Sequence, residues 1–129
     1  MKKLMIALLI TFLPFALMAA PKVGRILSPV VLEGSKGGLV KGGAWDSAAS
    51  FKGKVTLFFY VDPDEKSLNA HAVEAFKKEK RESKKFQAVV VINMDSTWLP
   101  NSAIESSLES SQKENPNTIY IKDMKKALV

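Results

Sequence analysis

The chain contains no cysteine and one histidine, His71. Without a thiol there is no disulfide, no Cys-ligated zinc, no iron–sulfur cluster and no cysteine nucleophile. A Ser–His–Asp triad would have to be assembled around that one imidazole, and no serine in the sequence stands out as its partner. Glycine is absent from the second half, since all seven lie between Gly24 and Gly53. After residue 20 no apolar run approaches the roughly 20 residues that a membrane-spanning helix needs. What is present is 129 residues, one ordinary domain's worth, with a formal charge of +6. A positive excess is the usual footprint of phosphate binding, so the location of that charge decides what it means.

Residues 1–20 read as a secretory signal peptide: Lys2 and Lys3, an apolar run from Leu4 to Met18 broken by Pro14, then Ala19 and Ala20. Cleavage is compatible with either alanine. The expectation is export to the periplasm, with no transmembrane segment in the mature chain. Loss of Lys2 and Lys3 lowers the formal excess from +6 to +4. Residues 77–85 alone carry +4, from Lys77, Lys78, Lys80, Arg81, Lys84 and Lys85 against Glu79 and Glu82. The rest of the domain is therefore neutral. One cationic surface at a helix end, where it complements the helix dipole, replaces the picture of a basic protein, and no nucleic-acid partner is expected.

Residues 21–53 form a glycine-rich lead-in in which EGSKGGLVKGG, bracketed by short apolar pairs, suggests β-hairpins with glycine turns. The glycine spacing does not match a phosphate-binding loop. Residues 54–129 form an α/β core. KVTLFFYV (54–61) is continuously apolar, the pattern of a strand covered on both faces, and predicts the centre of the sheet. In the following DPDE, Asp62 with Glu65 forms a capping box ahead of a helix over 63–84, whose apolar face carries Leu68, Ala72, Ala75 and Phe76. QAVVVINM (87–94) is a second buried-type strand, so the pair with its helix is a βαβ unit with parallel strands. The loop DSTWLPN leads to a second capping box, Ser102 with Glu105, on a helix bearing Ile104 and Leu108 that Asn115–Pro116 stops. TIYI (118–121) is a third strand, and KALV begins to look like another. The fold class is an α/β sandwich.

Asp62, Asp64, Glu65 and His71 form the one set of polar residues that suggests a cation or hydrolytic site, because loops at the carboxyl ends of parallel strands are where α/β sheets bind ligands. Helix capping accounts for the acids without any such role. Trp98 falls on the loop after the second strand, beside the first, and reads either as a contact for a partner or as a lid over the core.

AWDSAASFKGKV with its Gly53-Lys54 step, Asn93-Met94-Asp95 followed by Pro100, and above all SSLESSQKENP (106–116) carry a family resemblance. The order of strands and helices resembles the thioredoxin fold, and these motifs are similar to the YtfJ-type family of small exported bacterial proteins, from about Trp45 to Asp123. The resemblance implies a thioredoxin-like sandwich with a βαβ core and a hairpin-rich lead-in. The sequence departs from the redox-active members of that fold where VDPDEKS occupies the position of their Cys-x-x-Cys, so thiol–disulfide chemistry is excluded. It also departs in length, lacking the C-terminal β-hairpin and last helix with which the family continues. The expectation is a truncated chain, or one that completes its sheet with a partner. The implied role is a binding or accessory module without cofactor or metal, with Asp62, Asp64 and Trp98 on a contact loop for an unidentified periplasmic protein or peptide. The alternatives are a metal-assisted enzyme acting through residues 62–65 and a DNA-binding transcriptional regulator, a label the family sometimes carries.

Overall fold

The computed structural model describes residues 23–65, 67–78 and 84–128. The expected signal peptide lies outside the described residues. In chain order the elements are β1 (Val31–Leu32), a 3-10 turn (Gly34–Lys36), β2 (Gly37–Leu39), β3 (Trp45–Asp46), α1 (Ser47–Phe51), β4 (Val55–Val61), a second 3-10 turn (Pro63–Glu65), α2 (Ala70–Lys78), β5 (Phe86–Asn93), α3 (Asn101–Glu114) and β6 (Thr118–Asp123). The architecture is mixed α/β.

Among the described residues the main sheet has four strands in the order β2-β6-β5-β4, and β1 with β3 forms a separate two-stranded ladder. β4, β5 and β6 are parallel, with Val61 opposite Ile92 and Asn93 opposite Asp123. β2 closes the far edge antiparallel to β6. Among the described strands the run 54–61 therefore lies at an edge and not at the centre. Among the described residues β5 has a strand on each side and buries six of its eight residues, whereas β4 is flanked by β5 alone and has no fully buried residue. A continuous apolar run reports that a strand is covered on both faces; it does not report how many neighbours it has in the plane of the sheet.

Alternation along the strands sorts the core into two layers. Val89, Val91 and Ile121 point to one face, where Leu32, Trp45 and Phe51 of the lead-in cover them. Ile92 and Met94 point to the other, against Ile104 and Leu108 of α3. Burying each such aliphatic side chain contributes about 1.5–3 kcal/mol. Trp45 meets Phe51 edge-on at 5.6 Å, and Phe51 meets Phe58 at 5.9 Å, so the lead-in is joined to β4 by an aromatic chain.

In the lead-in, Leu39 N–H donates to Gly43 O and Gly42 N–H to Leu39 O, closing the glycine-supplied turn, but the strands on either side of it pair elsewhere. Gly37 sits at φ 118° and lies so close to β6 that a Cβ would collide with the Lys122 carbonyl oxygen. Both expected capping boxes are replaced by other arrangements. Asp62 Oδ1 accepts from the Asp64 N–H at 2.9 Å, which supports a 3-10 turn, and α2 starts only at Ala70. Ser102 lies inside α3, whose N-cap position is Pro100, and Glu105 pairs with Lys122 at 2.8 Å. Lys126, Ala127 and Leu128 do not form the strand expected from KALV, whose Val129 lies outside the described residues: the N–H groups of Lys125, Ala127 and Leu128 converge on the Asp123 carboxylate.

Candidate functional site

Because β4, β5 and β6 are parallel, their carboxyl ends share one edge, and the loops that follow them are neighbours. After β4 the chain turns at Asp62, with Pro63 buried and Asp64 and Glu65 exposed. After β5 the Asn93 side chain accepts from Asp95 N–H at 3.2 Å, and the chain runs out to Trp98 before returning at Leu99.

Asp64 joins the two loops. Its carboxylate accepts from Thr97 Oγ1 at 2.7 Å and from the Trp98 N–H at 3.3 Å. Thr97 Oγ1 in turn accepts from the Leu99 N–H at 3.0 Å, and Leu99 packs on the α3 side of the core. This clamp fixes the backbone on both sides of Trp98 while leaving its indole 80% exposed. Trp98 is thus not a lid. Hydrogen bonds on its own and adjacent backbone hold this large aromatic outward, away from the core.

Of the other sequence-derived candidates, His71 lies exposed on α2, beyond the turn that separates it from residues 62–65. Among the described residues no group of three His, Cys, Asp or Glu side chains converges as a metal site. Of the cationic surface, Lys78, Lys84 and Lys85 are exposed; Lys80, Arg81 and the side chain of Lys77 lie outside the described residues.

A second polar centre at the same edge escaped the sequence reading. Asp123, at the end of β6, is fully buried and accepts from Tyr60 Oη at 3.3 Å as well as from the three N–H groups of the terminal turn. Burial and then the Asp123 charge and hydrogen bond push the Tyr60 phenol above its ordinary pKa, with smaller contributions from Asp95 and Asp62. Tyr60 therefore stays protonated and acts as a donor. An Asp following a strand and preceding a turn is a weak signal for such a nest. Its pairing with Tyr60 on a strand two places away could be found only from the sheet order.

The glycine-rich lead-in lines a cavity of about 530 Å³ together with Glu33, Glu105 and Lys122. The one cation among these is paired with Glu105, so the charge at this cavity does not suit phosphate.

Residues 35–128, from the first 3-10 turn to the turn around Asp123, match the pattern of a family described as bacterial protein of unknown function, YtfJ_HI0045. The chain belongs to the YtfJ_HI0045 family. No curated protein and no solved structure matches it. The YtfJ_HI0045 span contains both loops of the Asp64 clamp, Trp98 and the Tyr60–Asp123 pair. Among the described residues no helix is long and apolar enough to cross a membrane.

Proposed function

We propose that this YtfJ_HI0045-family chain is an exported periplasmic protein of thioredoxin-like architecture, without thiol redox activity, that serves as a binding or accessory module. Its contact surface is the pair of loops at the carboxyl edge of the sheet, with Asp62 and Asp64 as framework and Trp98 as the residue presented to a protein or peptide partner. The observation that carries this reading is the Asp64 clamp, which orders the backbone around an indole that contributes nothing to the core. Ordering a loop before it binds reduces the entropy lost on association. Exposed tryptophan is enriched among residues that dominate binding energy.

The acids of residues 62–65 support the binding reading over a metal-assisted enzyme, because Asp62 is engaged in its own turn and Asp64 in the clamp. The supporting features for export are residues 1–20 with their charged start, apolar run and small residues.

The test is affinity capture from periplasmic extract with the wild type, Trp98→Ala and Asp64→Ala. A partner retained by the wild type and lost from both variants supports the proposal. Identical capture by all three refutes it. Fractionation of cells expressing the whole chain checks export: recovery in the cytoplasm at unprocessed mass would remove that part of the reading.

A further inference from the structure

SSLESSQKENP (106–116) is a segment to which the Trp98 loop gives no role. Four of its residues, Glu109, Gln112, Lys113 and Pro116, line a cavity of about 460 Å³ together with Val40 and Lys41 of the glycine turn. Cavities of roughly 300–1,000 Å³ hold small ligands. This one lies at the amino end of β6, on the β2 side of the sheet and at the other end of α3 from Trp98.

Both walls of the cavity are fixed to β6, two residues apart. Val40 N–H donates to Tyr120 O at 3.0 Å, and Gln112 Nε2 donates to Thr118 O at 2.9 Å. Lys41 sits in the turn that the Leu39 N–H closes on Gly43 O. A cavity held by backbone that the fold already orders loses less entropy when a ligand enters.

Gln112 is 7% exposed, and its neighbours settle the orientation of its amide. Nε2 faces two carbonyl oxygens, Asn115 O at 3.3 Å and Thr118 O at 2.9 Å, and only an N–H can satisfy them. The Oε1 is left over, and it accepts no hydrogen bond among the described residues. An acceptor on a nearly buried amide, with no donor from the chain, is a place for a ligand's N–H. Lys41, Glu109 and Lys113 are exposed, and among the described residues none of the three has a hydrogen bond or ion pair from its side chain. Two lysines against one glutamate give the cavity a formal charge of +1. Val40 and Pro116 add apolar wall.

We propose that this cavity binds the carboxyl end of a short peptide. The terminal carboxylate pairs with Lys41 and Lys113, the last amide N–H donates to Gln112 Oε1, and an apolar last side chain lies against Val40 and Pro116. A phosphate suits the cavity less well. Its oxygens bring acceptors and no N–H to Gln112, and the Glu109 carboxylate opposes a second negative charge. The site is independent of the Trp98 loop.

The test titrates the whole chain with N-acetyl-alanyl-leucine by nuclear magnetic resonance, alongside two analogues. One ends in a carboxamide; in the other an ester oxygen replaces the last amide N–H. The parent compound is expected to shift the backbone amide signals of Lys41, Gln112 and Lys113. It should bind about tenfold more tightly than the carboxamide and about fivefold more tightly than the ester. No saturable shift at these residues in the millimolar range, or equal affinity for all three compounds, overturns the proposal. Lys41→Gln and Lys113→Gln should each weaken the parent compound about threefold and leave the carboxamide unchanged. Both lysines are exposed, so these variants keep the core intact, and wild-type affinity in both contradicts the carboxylate pairing. Gln112→Leu would remove the bonds from α3 to β6 together with the acceptor, so the ester reads the acceptor in its place. Trp98→Ala should bind all three compounds as the wild type does. Loss of binding in Trp98→Ala would put the peptide at the other loop and overturn this site.

Discussion

Asp64 and Thr97, thirty-three positions apart in sequence, are joined at 2.7 Å, so the loop after β4 and the loop after β5 behave as one hydrogen-bonded unit. The same carboxylate holds the Trp98 N–H, which makes the position of the exposed indole a property of both loops. Removing the acid should therefore change the loop more than the fold. Asp64→Ala is expected to cost about 1 kcal/mol in urea denaturation. It should also accelerate hydrogen exchange at the Trp98 and Leu99 amides while leaving β5 unchanged. Equal acceleration in β5 would mean that Asp64 supports the core and not the loop.

The Tyr60 phenol holds its proton more tightly in the folded chain than its ordinary value near pH 10 implies. Its pKa is raised on folding, so its contribution is complete below about pH 10 and is lost as pH rises from there through the folded value. Tyr60→Phe removes the hydrogen bond to Asp123 and is expected to lower stability at neutral pH by about 1 kcal/mol. It should also flatten the decline in stability above pH 10. Some decline should remain, because burial also raises the Tyr120 phenol. Denaturant titrations at several alkaline pH values check both parts.

Gly37 and Gly34 both have positive φ, but they differ in their surroundings. A Cβ at Gly37 meets the Lys122 carbonyl, whereas a Cβ at Gly34 meets nothing within 4 Å. Gly34→Ala should cost only about 1 kcal/mol, the conformational penalty. Gly37→Ala should cost more than about 2 kcal/mol, because β2 must move away from β6 as well. Thermal denaturation of the two variants separates these terms.

Leu108 is buried between α3 and the sheet. Leu108→Ala should destabilise by about 2–4 kcal/mol through lost burial and the cavity left behind. Calorimetry checks the expectation.

The sequence made three features of the fold readable in advance. The strands at 54–61, 87–94 and 118–121 stand within two residues of β4, β5 and β6, because continuous β-branched and aromatic runs bounded by polar segments leave little choice. The parallel pairing of β4 with β5 followed from the length of the connection. The neighbouring position of residues 62–65 and Trp98 followed from that pairing. The helix starts were not readable. Asp62 and Glu65 have the spacing of a capping box, yet Asp62 bonds two residues on and Asp64 is drawn to Thr97, a partner that local spacing cannot reveal. The edge position of β4 among the described strands was hidden for the same reason, since composition encodes burial of faces and not of edges. Asp123 was overlooked because its partners, Tyr60 and the terminal N–H groups, meet only once the sheet is assembled.

The most direct test of the proposed function replaces Trp98 with a photo-reactive phenylalanine analogue in the whole chain expressed in cells, with the same analogue at the exposed Lys113 on α3 as control. On irradiation, position 98 is expected to give a discrete adduct with a periplasmic protein or peptide that position 113 does not give, and Asp64→Ala should diminish it. No adduct at position 98, or the same adducts at both positions, would contradict Trp98 as the contact residue.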